Sequence, residues 1–135
     1  MRFAENELRD YAHALGLGDL FNQPMLRLLH QFEEAKNLGS LIQPSLDEQA
    51  IAEVRRAIEG KDLGGQIFLR KTHIKVLRVL EQAEALTQRY HVVAANPPYM
   101  GGKGMNGRLS AWVKENFPTT KSDLFSVFVD RMISL

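Results

Sequence analysis

The residues best suited to chemistry in this chain stand together as Asn96-Pro97-Pro98-Tyr99. The two prolines remove two backbone donors and fix φ, so this segment cannot continue a sheet ladder. The Asn96 side-chain oxygen and the Pro97 carbonyl can both accept hydrogen bonds from one planar amino group, and Tyr99 offers a ring for stacking. The tetrapeptide therefore predicts a site for a flat aromatic amine.

A longer string around the tetrapeptide narrows this prediction. The tetrapeptide itself resembles the catalytic motif of the amino-methyltransferase superfamily, whose members transfer a methyl group from S-adenosylmethionine to exocyclic amines. The string from Val92 to Asn106, followed by Lys121-Ser122-Asp123-Leu124-Phe125, is similar to the adenine-specific DNA methyltransferases of BREX phage-defence systems. The segment from Phe32 to Ile42 also resembles the part that precedes the motif in those enzymes. The resemblance implies DNA adenine-N6 methylation, in restriction-modification or phage defence.

The same resemblance implies a role for each residue of the tetrapeptide. Such enzymes flip the target base out of the duplex. Asn96 and the Pro97 carbonyl would then bind the two amino hydrogens of the flipped adenine and draw the nitrogen lone pair out of conjugation with the ring. Tyr99 would stack on the base, and Pro98 would keep the loop rigid.

The segment that follows the motif is basic. Between Gly101 and Lys121 it has only one acidic residue, Glu115, and four cations, namely Lys103, Arg108, Lys114 and Lys121. Positive charge beside a base pocket fits contacts to DNA phosphates, and we predict that role for Lys103 and Arg108. Short charge runs are also often merely solvated, and the net charge of +1 does not by itself predict a nucleic-acid partner.

A binding site for the methyl donor is not evident in the chain. Enzymes of this type hold the donor with a glycine-rich turn after the first strand and an acidic residue at the end of the second. Neither Gly64-Gly65 nor the glycines of segment 101–104 match that turn by position. We therefore expect the target-base half of a longer enzyme, or a truncated remnant, that alone is inactive. S-adenosylmethionine is the cofactor that the family implies.

The fold that the resemblance implies is an α/β, Rossmann-like methyltransferase domain. The isolated chain is predicted to be mostly α-helical, with one strand at about 91–96 and, at about 40–43, either a short second strand or an extended connector. Residues 1–90 form the helical segment before the motif, and 91–135 form the strand, the motif loop and two helices, within a single compact unit.

Two local patterns predict how the helices begin and pack. Ser45 and Glu48 have the spacing of a capping box, which predicts the start of a helix that runs to Gly60. The long helix that follows is predicted to turn one apolar stripe inward, consisting of Ile74, Leu77, Leu80, Ala83 and Leu86.

The composition limits the classes of protein. With 44% hydrophobic and 24% charged residues, the chain is predicted to be a soluble cytoplasmic protein with a packed core. No apolar run approaches the roughly 20 residues of a membrane span. The absence of cysteine excludes disulfides and thiolate metal sites. The four histidines lack ligand spacing, so no metal is expected.

Two other functions remain open from the residues. In the first, the chain is a catalytically inactive helical module that binds DNA or protein. In the second, it is part of an RNA or protein-glutamine methyltransferase, since those enzymes share the tetrapeptide. The expected partners are DNA, the remainder of the methyltransferase, other defence-system proteins or a second copy of the chain, and no membrane.

Overall fold

The computed structural model describes residues 2–97 and 100–135, and this part of the chain is mainly helical. Its α-helices are α1 (Glu7–Ala14), α2 (Gln23–Gln31), α3 (Ala35–Leu38), α4 (Glu48–Glu59), α5 (Ile67–Thr87), α6 (Gly107–Asn116) and α7 (Leu124–Ile133). Short 3₁₀ helices occur at Phe32–Glu34 and Gly39–Leu41. None of the described helices is long and apolar enough to cross a bilayer.

The chain divides into two compact units. The first unit comprises residues 1–36 and 42–88, and the second comprises residues 37–41 and 89–135. The first unit contains α1, α2, α4 and α5, whereas α6 and α7 belong to the second. We call the second unit the motif unit, because it carries residues 96–99.

The strand predicted at about 91–96 is wrong. Within ranges 2–97 and 100–135 no residue belongs to a β-strand, and the only bridge joins Gly101 to Asp123. A strand needs a neighbour that satisfies its backbone donors and acceptors, and the described residues contain none. Val92 illustrates the consequence, since 83% of its surface is exposed. The described chain is mostly helical, as predicted, but contains no sheet, so the α/β, Rossmann-like fold that the resemblance implies is not confirmed.

The second strand, predicted at about 40–43, is wrong as well. Residues 39–41 form a 3₁₀ helix, and Gly39 has a φ of 52° at its start. Leu41 and Ile42 are both buried, with 2% and 1% of their surface exposed. Two consecutive buried side chains contradict the alternation of a half-buried strand and fit a tight turn over a core.

The core of the first unit lies where α5 packs against α4 and α1. The largest side chains that are almost fully buried in this unit are Tyr11, Met25, Leu28, Leu29, Ile42, Ile51, Ile58, Val76, Val79 and Leu80. Most of them are aliphatic residues at helical spacing. Their burial supplies the main driving force for folding of this unit.

The inward face of α5 differs from the predicted stripe. Leu80 and Ala83 are fully buried as predicted, but Ile74 is 52% exposed. The buried face instead includes Val76 and Val79. Apolar residues occur on several sides of this helix, so spacing alone did not identify the side that packs.

The start of α4 also differs from the prediction. Asp47, not Ser45, caps this helix, and its Oδ1 accepts a hydrogen bond from the Ala50 backbone N–H at 2.8 Å. The Ser45 backbone N–H donates instead to the Gln31 side chain at 3.0 Å. An N-cap directly precedes the first helical residue, and that residue here is Glu48.

Polar contacts fasten α5 to α1 and α4. The buried Tyr11 hydroxyl of α1 is hydrogen-bonded to Nδ1 of His73 at 2.8 Å. Burial raises the pKa of Tyr11 to about 12 and lowers the pKa of His73. On the other side of α5, Arg55 of α4 pairs with Glu84. These contacts fix the position of α5 relative to both neighbours.

Glu7 makes a further link between α1 and α5. Its carboxylate accepts hydrogen bonds from the Ala4 N–H at 2.7 Å, the Thr72 hydroxyl at 2.8 Å and the Lys75 ammonium at 3.0 Å. Burial favours the neutral acid, but these three donors outweigh it and hold the pKa of Glu7 below its ordinary value of 4.5. The charged form of Glu7 is therefore the one that stabilises the fold.

We expect the Glu7→Gln variant to lose part of the pH dependence of stability. In the wild type the pKa of Glu7 is lower in the folded state than in the unfolded state, so the unfolded state binds the proton at a higher pH. The free energy of unfolding therefore decreases as the pH falls below about 4.5. Urea denaturation between pH 7 and pH 3 measures this slope. Glu5→Gln, which changes an exposed glutamate nearby, should keep the wild-type slope. A Glu7→Gln curve parallel to the wild-type curve would contradict the assignment.

Candidate functional site

The segment that carries the motif is held at both ends by main-chain hydrogen bonds to the last helix region. Before the motif, the Tyr90 N–H donates to the carbonyl of Leu135 at 2.9 Å. After it, the carbonyl of Met100 accepts from the Leu124 N–H, at the start of α7, at 2.8 Å. The segment between residues 90 and 100 therefore joins positions next to the two ends of α7.

A surface groove of about 410 Å³ shows where the first part of this segment packs. Its lining comes from the segment 89–93 and from the end of α7, and consists of Arg89, Tyr90, His91, Val93, Val129, Met132, Ile133 and Leu135. In the described structure the last two turns of α7 thus lie beside the residues that precede the motif.

The chain after the motif makes a tight turn against the start of α7. Gly101 and Asp123 form an antiparallel bridge, and the Gly102 N–H donates to the Ser122 carbonyl at 3.3 Å. The Gly104 N–H then donates to the Gly101 carbonyl at 2.9 Å. A Cβ at Gly104 would lie 2.5 Å from the Met100 side chain, so only glycine fits there without a shift of that side chain. The turn 101–104 is therefore fixed in place.

Helix α6 is positioned by an asparagine that caps it and by two apolar side chains that are buried. The Asn106 side chain accepts from the Leu109 N–H at 2.8 Å, which caps the helix, and donates to Asn37 at 3.4 Å. Leu109 and Val113 are buried on one side of α6. Arg108, in the first turn of this helix, is exposed. The capping contacts and the buried side thus direct Arg108 to the surface of the motif unit.

Helix α7 has a buried cation that the sequence analysis did not single out. Arg131 is only 4% exposed and lies on the same side of α7 as the buried Leu124 and Val127. Its Nη1 donates to the Ser134 hydroxyl at 2.7 Å, and burial lowers the pKa of the guanidinium. The spacing of residues 124, 127 and 131 would have placed Arg131 on the apolar side of the helix.

The predicted site residues occupy different environments. Asn96 is exposed and Pro97 is buried, so the Asn96 side chain lies at the surface on a backbone that packs inward. Pro98 and Tyr99 lie outside the described residues. Lys103 is exposed in the turn 101–104, and Arg108 follows on α6. Asn96 is therefore accessible to a ligand, and both predicted DNA-binding cations follow it on separate elements.

Charge is distributed unevenly between the two units. The motif unit contains six Lys and Arg residues against three Asp and Glu, whereas the first unit contains eleven against thirteen. The resulting charges of +3 and −2 together give the net +1 of the chain. A polyanion is therefore attracted to the unit that carries the motif.

The described residues do not fit the methyl donor. Gly64 and Gly65, with φ of 57° and 77°, form the turn before α5, and no strand precedes them in the described chain. The glycines of the turn 101–104 follow the motif and contact the start of α7. Neither turn has the strand and acidic partner that a donor site requires. Across the described residues, no three His, Asp or Glu side chains cluster to hold a metal ion.

Comparisons with known proteins agree with the prediction made from the motif. Residues 21–135 match the model of the Eco57I restriction-modification methylase family. The chain is similar to the adenine-specific methyltransferase BrxX of Escherichia coli O9:H4 (strain HS), with 40% identity over 88% of this chain and 11% of BrxX. It is also similar to the adenine-specific methyltransferase PglX of Lacticaseibacillus casei (strain Zhang), with 31% identity over 93% of this chain and 11% of PglX.

The matches cover nearly all of this chain but little of its relatives. It spans 11% of the length of each of these two curated proteins. The family match includes the whole of the motif unit. The predicted resemblance to adenine-specific methyltransferases is confirmed. This chain belongs to the Eco57I restriction-modification methylase family.

Proposed function

We propose that this chain is the target-base part of a DNA adenine-N6 methyltransferase that acts in restriction-modification or phage defence. The family match and the two relatives, both named adenine-specific methyltransferases, support the reaction class. The single observation that carries the role of this segment is the exposed Asn96, which lies between two main-chain hydrogen bonds to residues at or next to the ends of α7. A loop of this kind can present fixed acceptors to a base.

The proposed chemistry concerns the amino group of the target adenine. The Asn96 side-chain oxygen and the Pro97 carbonyl accept its two hydrogens, which localises the lone pair on nitrogen and makes that nitrogen more nucleophilic. S-adenosylmethionine supplies the methyl group in such a reaction. Since the described residues do not fit that donor, we assign to this chain only the binding and orientation of the base.

The free-energy cost of base flipping explains why the motif needs an aromatic residue. Extrusion of a base costs a few kcal/mol of lost stacking and pairing. Stacking on an aromatic side chain returns about 1–3 kcal/mol per base, and we assign this role to Tyr99. Main-chain hydrogen bonds hold Tyr90 before the motif and Met100 after it, and catalytic groups must be held to within about 0.5 Å.

The net charge of +3 on the motif unit supports DNA as the substrate. DNA affinity depends on neutralising phosphates, and the cations nearest the motif in sequence are Lys103 and Arg108. Both are exposed. We propose that they contact the DNA backbone, which positions the strand and leaves recognition of the base to the motif.

Base capture can be tested on this chain without the methyl donor. The probe is a duplex with a mispaired 2-aminopurine, whose fluorescence rises when it leaves the base stack. We expect the wild-type chain to raise the fluorescence, and Tyr99→Ala to bind the extrahelical base about 5- to 150-fold more weakly. Tyr90→Ala is the matched control, because Tyr90 is an exposed tyrosine of the same unit outside the motif.

The outcomes separate the proposal from its rivals. An increase in fluorescence that survives Tyr99→Ala would remove the stacking role. A wild-type chain that binds the duplex without any increase would favour an inactive DNA-binding module. A response that needs Tyr99 but not Tyr90 supports capture of the base by the motif.

A further inference from the structure

The bridge after the motif brings together two lysines that are far apart in sequence. Gly101 pairs with Asp123 in antiparallel orientation, and the Gly102 N–H donates to the Ser122 carbonyl at 3.3 Å. Lys103 follows Gly102, and Lys121 precedes Ser122. The two lysines therefore flank the same hydrogen bond on opposite chain segments.

Backbone geometry limits the separation of these lysines. The Gly102 nitrogen lies 3.3 Å from the Ser122 carbonyl oxygen, so the Cα atoms of these two residues lie within about 7.5 Å of each other. One further residue on each side adds at most about 3.8 Å, so the two lysine Cα atoms lie within about 15 Å. Each ammonium group is on a flexible four-carbon stem. Phosphates follow one another along a strand at about 3.4 Å of rise, so both lysines can reach the same short stretch of backbone.

The charge around the two lysines favours an anion. Both side chains are exposed. The carboxylate that follows Lys121, on Asp123, caps α7 and accepts from the Phe125 N–H at 3.2 Å and the Ser126 hydroxyl at 3.4 Å. A phosphate that lies within reach of both ammonium groups is attracted to each of them. The net +3 of the motif unit adds to the attraction.

We propose that Lys103 and Lys121 form a two-lysine clamp that binds the DNA phosphates beside the target nucleotide. This inference rests on the proposed function and adds to it, because the role of Lys121 follows from the bridge and not from the sequence pattern. The turn 101–104 begins two residues after Tyr99 and is hydrogen-bonded to the segment that carries Lys121. A phosphate in the clamp therefore sets the distance between the DNA strand and the base site.

The salt dependence of binding to an ordinary duplex measures these contacts. For each phosphate neutralised on duplex DNA, the slope of log K against log salt concentration changes by about 0.9. We expect Lys103→Gln and Lys121→Gln each to reduce the magnitude of the slope by about 0.9, and the double variant by about 1.8. Lys121→Arg retains the charge and should retain the slope.

Lys114→Gln is the matched control. Lys114 is an exposed lysine of the same unit, on α6, so its replacement removes the same charge without touching the clamp. If Lys114→Gln has the same slope as the wild type, the clamp is supported. An equal reduction for Lys114→Gln would indicate a diffuse charge effect and overturn the clamp, as would unchanged slopes for Lys103→Gln and Lys121→Gln.

Two separate measurements on the same chain distinguish failure of the clamp from failure of the proposed function. Fluorescence of 2-aminopurine reports base capture, whereas the salt slope on a fully paired duplex reports phosphate contacts. If Lys103→Gln and Lys121→Gln reduce the salt slope but the wild-type chain captures no base, the clamp is supported and the proposed function is rejected. Base capture that depends on Tyr99, without a slope difference, overturns the clamp and retains the proposed function.

Discussion

Replacement of Asn96 by alanine is expected to lower kcat for adenine methylation by about 10²–10³-fold, measured in a longer chain that also binds the donor. The change removes one of the two acceptors that we assign to the adenine amino group. The acceptor acts mainly when the nitrogen attacks, so kcat should fall while KM for DNA changes little. Because Asn96 is exposed, its replacement by alanine should not impair folding, so a folding defect would not explain the loss of activity.

Two matched variants test the chemical reason for that loss. Asn96→Asp keeps an oxygen acceptor at the same position and should retain more activity than Asn96→Ala. Asn116→Ala removes an exposed asparagine of the same unit, at the end of α6, and should leave kcat unchanged. Wild-type kcat in Asn96→Ala would exclude Asn96 from binding the amine.

The largest effect on stability is expected for Leu80→Ala, which should lower the free energy of unfolding by about 2–5 kcal/mol. Leu80 is fully buried on α5, where this helix packs against α4 and α1. Truncation removes buried apolar surface and leaves a cavity in the core of the first unit. Urea denaturation at neutral pH measures the loss.

Ile74→Ala is the control on the same helix. Ile74 belongs to the stripe predicted from spacing, but it is 52% exposed, so its truncation should cost less than about 1 kcal/mol. Equal losses for Leu80→Ala and Ile74→Ala would mean that both side chains pack inward. That result would support the predicted stripe and contradict the observed rotation of α5.

Helix ends were predictable where the signal is local. Gly60 was predicted to end its helix and forms the C-cap of α4. Asn106 belongs to a residue type that is preferred at helix N-caps, and its side chain caps α6. Both signals involve only the few residues next to each helix end, so tertiary contacts do not alter them.

The lack of a strand at about 91–96 could not be predicted from the sequence, because a strand depends on a partner elsewhere in the chain. The apolar run His91-Val92-Val93-Ala94-Ala95 has the composition of a strand, but composition describes side chains and not backbone pairing. In the described structure this segment is irregular, and its first part packs beside α7. The segment has the residue composition of a strand, but the described chain offers no second strand with which its backbone can pair.

The candidate site was predictable only in part. Asn96 and Pro97 were identified from residue types in sequence order, and the structure adds that Asn96 is exposed while Pro97 is buried. The pairing of the turn 101–104 with residues 122–124 joins segments about twenty residues apart, so it depends on tertiary structure. For that reason the proximity of Lys121 to the motif could not be seen in the sequence.

Mass spectrometry of nucleosides tests the central claim most directly. DNA is treated with S-adenosylmethionine and a longer, donor-binding protein that contains this segment, and the nucleosides released by digestion are analysed. We predict N6-methyldeoxyadenosine with wild-type protein and only trace amounts with Asn96→Ala. Methylation of another base, or equal N6-methyldeoxyadenosine from both proteins, would contradict the assignment of this loop to the adenine amine.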